Sequence, residues 1–207
     1  MNRNNKINSE SLNSIKTKIS ELIEEISDKS IISYDELPQY DLFLSQVKDY
    51  LNDKFDHDHF TNNILQNYIK SEVISKPEDG KKRGYTKLHL VQLVLLGCMR
   101  PVLTTDEIKD VFRLAFNGIN NRADDILSWE DTYKLFCYLQ KESFNIGFLE
   151  NKGQDVETLL KYFDDYDFSE QEQERIAIFL IVMSLVAQAS NIKKLVSTIV
   201  KEYGDKY

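Results

Sequence analysis

Glycine and proline are nearly missing from this chain: 7 and 3 residues in 207, against roughly 7% and 5% in average usage. Sandwiches, barrels and glycine-looped α/β folds reverse the chain often and need turn residues to do it. A chain this poor in them predicts long helices, and the expected class is all-α. Hydrophobic residues make up 42% and aromatics 11%, enough to fill a core and too much for a disordered segment. At about 100–200 residues per domain, the length suggests one domain or two small ones sharing a core.

The spacing of apolar residues divides the chain. Leu12, Ile15, Ile19, Leu22 and Ile26 step by 3 and 4, the seam of a short coiled coil. This predicts an arm over 1–36 that packs on the body or on a second subunit. A second helix is expected over about 39–55, with Pro38 near its first turn. A third is expected over about 61–72. After a turn-rich stretch, a buried helix is expected over about 86–99 and ends at Pro101. Thr104 with Glu107 forms a capping box for the next helix, reaching to about Phe116. The turn at 118–122 separates residues 37–116 from a helical body over 117–207. There Ser128 opens an aromatic-rich helix carrying Trp129, Tyr133 and Phe136, whose spacing reads as core. Asn151-Lys152-Gly153 breaks the chain, and Ser169 with Glu172 caps a last helix running to about Tyr203, with a kink expected near Ser190-Asn191.

Several classes of function find no support. The segment Met1–Lys6 is polar with no apolar run after it, so no secretory signal is read, and a cytoplasmic location is expected. The longest uncharged apolar run, Ile176–Ala189, is shorter than a bilayer span, so no membrane is expected. Cys98 and Cys137 lie in apolar runs without CxxC spacing. The run Asp56-His57-Asp58-His59 has no further ligand at metal spacing and reads as a solvated loop. There is no phosphate loop and no nucleophile motif. No enzyme, metal or cofactor is expected.

What the sequence does carry is a two-faced short helix. At 100° per residue, Ile64, Leu65, Tyr68 and Ile69 share one side, and Asn62, Asn63, Gln66, Asn67 and Lys70 share the other. That polar side holds amides and a lysine and no acid. Asn and Gln can pair bidentately with adenine in the major groove. Lys81, Lys82 and Arg83 follow on a turn marked by Asp79-Gly80, and with Tyr85 they would hold phosphates. The order of short polar-faced helix, basic wing and buried helix is the specification of a winged helix-turn-helix.

Tyr68, Val73-Ile74, Pro77, then Arg83-Gly84-Tyr85-Thr86 and Asp106-Glu107-Ile108 resemble the MerR-type helix-turn-helix over about residues 60–112. A closer resemblance is to family 1836 of bacterial domains of unknown function. It rests on Leu37-Pro38, Asp41 to Leu44, Gln46-Val47, Thr61, Asn67-Tyr68, Lys70, Lys82, Tyr85-Thr86, His89-Leu90, Asp106 and Ile108-Lys109. Gln66 stands where a second Asn is usual. The resemblance implies a MerR-like DNA-binding fold within a helical bundle and no established activity.

The net charge of −8 argues against nucleic acid only if it is evenly spread. Residues 1–59 hold 7 basic and 12 acidic groups, residues 60–100 hold 7 and 3, and residues 101–207 hold 12 and 19. The basic island coincides with the polar-faced helix and its wing. The expected function is a bacterial transcriptional regulator with DNA as partner, as a possible homodimer. The alternatives are an all-helical protein-interaction module and a regulator sensing a small-molecule effector.

Overall fold

The stretch Lys87–Met99, KLHLVQLVLLGCM, has no polar face, so a helix built from it must be covered on every side. In the computed structural model its residues His89 to Met99 are all buried, and the rest of the molecule is arranged around it. The structure describes residues 9–28, 32–55, 59–77, 84–142, 161–163 and 166–204. Among these the chain is all-α: α1 Ser9–Asp28, α2 Leu44–Lys54, α3 Asn62–Lys70, α4 Lys87–Met99, α5 Thr105–Ala115, α6 Trp129–Glu142 and α7 Glu170–Gly204. Short 3-10 turns occupy Tyr34–Glu36 and Lys161–Phe163. No β-strand occurs among the described residues, only isolated pairings of Leu42 with Tyr85 and Gly118 with Asn121.

Capping chemistry sets several helix starts. Thr104 Oγ1 accepts from the Glu107 N–H at 3.3 Å while Glu107 Oε2 accepts from the Thr104 N–H at 2.7 Å. Ser169 and Glu172 repeat the arrangement before α7. At α4 the reciprocal partner is His89, whose Nδ1 accepts the Thr86 N–H at 3.0 Å. Each device satisfies N–H groups that a helix start leaves without intrahelical partners. Helix α5 buries Ile108, Val111, Phe112 and Ala115, the i, i+3, i+4, i+7 stripe of a one-sided helix.

One expectation about helices changes. The second helix begins at Leu44, not near Gln39. Residues before it are used otherwise: Leu42 exchanges both backbone hydrogen bonds with Tyr85, at 2.8 and 3.3 Å, which requires extended geometry there. The last helix runs unbroken through Ser190 and Asn191. Asn191 is buried, and its side-chain amide donates to the Gln140 carbonyl of α6 at 3.1 Å, which ties α7 to α6.

One connected core extends from Leu37 to Ala187. Phe116, just past α5, stacks on Trp129 of α6 at 3.6 Å between ring centres and meets Phe179 of α7 edge-on. Helix α1 lies against α6 and α7, burying Leu22 and Ile26. The Tyr133 hydroxyl donates to the Ile32 carbonyl at 2.8 Å, joining the segment after α1 to α6.

Candidate nucleic-acid interface

Helix α3 packs against α2, which in turn packs against α4. Thr61 caps it, its hydroxyl accepting from the Ile64 N–H at 3.2 Å. Leu65 is fully buried, and Ile64, Tyr68 and Ile69 are half-buried against the core. The turn between α2 and α3 is clasped by Asn52, whose amide nitrogen donates to the Phe60 carbonyl at 3.0 Å and whose amide oxygen accepts the Phe60 N–H at 2.7 Å. Beneath that turn, Phe60 packs against Phe55 and under the Arg100 guanidinium, 4.7 Å above its ring. Phe55 in turn lies so close to Gly97 of α4 that a Cβ there would stand 2.5 Å from its ring. Glycine is required at that point by space.

The far end of α3 is closed by a Schellman turn. Val73 N–H reaches back to the Tyr68 carbonyl at 2.9 Å and Glu72 N–H to the Ile69 carbonyl at 3.0 Å, the pattern that needs a left-handed residue between. Glu72 takes that conformation, with φ of 57°. The chain then runs along α4: the Ser75 N–H and hydroxyl both donate to Gln92 Oε1, at 2.9 and 2.8 Å, and the Lys76 N–H donates to Asn120 Oδ1.

With α3 held this way, Asn62, Asn63, Gln66, Asn67 and Lys70 are all exposed on its outer side, as the periodicity predicts. Tyr85, expected beside them on the phosphates, lies in the core with 8% of its surface exposed and its ring edge-on to His89. Burial pushes its hydroxyl pKa up. Lys81, Lys82 and Arg83 lie outside the described residues, as do His57 and the break at 151–153. The chain ends that flank 78–83 are well fixed, by Ser75 and Lys76 on one side and by the Leu42–Tyr85 pairing on the other.

Asn52, Arg100 and Glu72 escaped sequence reasoning. A clasp between residues eight apart has no periodic signature, and a left-handed residue is foreshadowed only when it is glycine. His89 is a capping residue, its Nδ1 accepting the Thr86 N–H. Burial raises both thiols, Cys98 and Cys137, to about 12, so neither is an activated nucleophile. Among the described residues no three His, Cys, Asp or Glu side chains are grouped as metal ligands.

The molecule is thus an all-helical protein in which a clasped helix pair, α2 and α3, presents an amide-rich surface. Its sequence matches the model of the domain of unknown function DUF1836 over residues 32–136, and the chain belongs to that family. It is also similar to the uncharacterized protein YkrK of Bacillus subtilis, 26% identical over 136 residues, which are 59% of this chain and 56% of the relative. The chain therefore matches little more than half the length of that curated relative. No solved structure matches it.

Proposed function

We propose that this chain is a DNA-binding transcriptional regulator that reads the major groove with α3 of a MerR-like helix-turn-helix. The observation that carries the reading is the outer face of α3: four amides and a lysine, all exposed, on a helix whose other side is locked into the core. Asn62, Asn63, Gln66 and Asn67 supply paired donors and acceptors suited to base edges, and Lys70 supplies charge for a phosphate. The turn after α3 supports the likeness. The MerR-type pattern has glycine at the fourth position past its tyrosine, and here Glu72 has the positive φ that glycine would adopt. Lys81, Lys82 and Arg83 are the proposed phosphate contacts on the wing, and Tyr85, pairing with Leu42, anchors the base of that wing beside α2.

The test is fluorescence anisotropy of the full chain with fragments of its source genome across a salt series. Affinity should fall steeply as salt rises, and the log–log slope should shrink by about 3 when Lys81, Lys82 and Arg83 are all replaced by alanine. Gln66→Ala and Asn67→Ala should each weaken binding to a preferred fragment by about 1–3 kcal/mol and relax its sequence preference. Absence of binding at low salt, or a triple variant with an unchanged slope, overturns the proposal.

A further inference from the structure

The turn after α5 is tied down at more points than an exposed connection requires. Surface loops are ordinarily the mobile part of a fold. Here the Asn121 N–H donates to the Gly118 carbonyl at 3.0 Å, and Asn121 Oδ1 accepts the Ala123 N–H at 3.3 Å. The Asn117 amide donates to the Asp124 carbonyl, while Asn117 Oδ1 accepts from the Arg175 guanidinium of α7 at 3.0 Å. Ile119 packs on the core. Asn120 then reaches across 44 residues of sequence, its Oδ1 accepting the Lys76 N–H at 2.9 Å. Lys76 carries the chain from α3 toward the basic stretch Lys81-Lys82-Arg83. Outward, the turn presents Asn120, Asn121 and Arg122, all exposed, the same amide and cation chemistry as the outer face of α3. Arg122 makes no ion pair with any described residue, whereas Arg113 and Lys134 are paired with Asp110 and Glu130.

We propose that the turn 118–122 is an additional DNA contact beside the wing, in which Arg122 binds one backbone phosphate and Asn120 sets the spacing between the turn and the wing stem. The proposal rests on the DNA-binding reading of α3. Arg and Asn side chains are common donors to phosphate oxygens, and a turn already ordered loses little freedom on binding. Residues 101–207 are acidic as a set, with 12 basic groups against 19 acidic ones, so charge counting along the sequence hides this cation. The hydrogen bond from Lys76 to Asn120 joins its turn to the basic part of the chain. Asp124 and Asp125 follow directly, which limits the contact to one phosphate.

The test is fluorescence anisotropy of the full chain with the genomic fragment it binds most tightly, across a salt series. Arg122→Gln should weaken binding and lower the log–log salt slope by about 1, with sequence preference and thermal midpoint unchanged. Arg122→Lys should keep the wild-type slope. Asn120→Ala should weaken binding at an unchanged thermal midpoint, because the Lys76 N–H that it releases is exposed to water. Lys201→Gln removes an exposed charge 26 residues along α7 from Arg175, about 39 Å of helix, and should leave the slope as it is. Ethylation of one particular phosphate should weaken wild-type binding and leave Arg122→Gln unaffected. An Arg122→Gln slope equal to that of the wild type, or an equal loss of slope in Lys201→Gln, overturns this proposal and leaves the reading of α3 standing. Absence of wild-type binding at low salt overturns the reading of α3, and this proposal with it.

Discussion

Helices α3 and α7 each turn one side to the core and leave the other bare, and the bare sides are chemically opposite. On α3 the exposed positions are Asn62, Asn63, Gln66, Asn67 and Lys70, and on α7 they are Ile178, Ile181, Leu185, Ile192, Val196 and Val200. An amide face is solvated without penalty, so α3 is stable uncovered and stays open to a polar ligand. An aliphatic face is costly to hydrate along its length, so the outer side of α7 is exposed at a penalty that α3 does not carry. The same amphipathic logic therefore leaves a polar surface open in one place and an aliphatic one in the other.

The sharpest way to break that comparison is to attack the hidden side of α3. Leu65→Ala removes a fully buried side chain and should lower stability by about 2–5 kcal/mol in urea unfolding. Leu185→Ala, on the open side of α7, should change the unfolding free energy measured in urea by less than about 0.5 kcal/mol. Equal effects of the two would mean that the α7 row is covered within a single copy.

Two further substitutions probe how α3 is held. Asn52→Ala leaves both backbone groups of Phe60 without their partner and should destabilise by about 1–3 kcal/mol, with faster hydrogen exchange across α3 than across α7. Gly97→Ala is expected to destabilise by about 1–3 kcal/mol through overlap with Phe55, although alanine is the better helix former by about 1 kcal/mol. Adding Phe55→Leu should recover part of that loss.

Glu72→Gly should act in the opposite direction. A left-handed non-glycine residue carries a strain of about 1–2 kcal/mol, so the glycine variant should be more stable by up to that amount in thermal unfolding, less the added freedom of its unfolded chain. A variant that is less stable would mean that the carboxylate of Glu72, 3.9 Å from Lys76, matters more than its backbone.

The smallest effect concerns pH and the turn joining α5 to α6. Burial, followed by the neighbouring Asp124 carboxylate, raises Asp125 from 3.8 to about 6. The folded chain then holds a proton that the unfolded chain releases, so this residue's contribution is complete below about pH 4 and is lost as pH rises through about 6. The wild-type midpoint should fall between pH 4 and 7 by more than that of Asp125→Asn, and parallel curves would show that Asp125 ionises normally.

Much of the architecture was legible before any coordinates. Glycine and proline scarcity gave the all-α class, Thr104 with Glu107 and Ser169 with Glu172 gave helix starts, and the 100° pattern of residues 62–70 separated the two sides of α3 correctly. These are local properties, decided by hydrogen bonds and side-chain directions within a turn or two. The same reasoning placed the start of α2 too early, because the pairing of Leu42 with Tyr85 joins residues 43 apart. It also put Tyr85 on the surface, where an aromatic flanked by basic residues suits a phosphate contact, although its ring belongs to the core.

Sequence alone thus determined which segments are helical and that α3 has one wet and one dry side. Only the tertiary structure decided which of two apolar sides of α7 goes inward, why Gly97 has no side chain, and that Asn52 clasps the turn before α3. Periodicity records how a helix is sided, but the choice between two apolar sides depends on the shape of neighbours far away in the chain. Burial is a property of the assembled core, and no single segment encodes it.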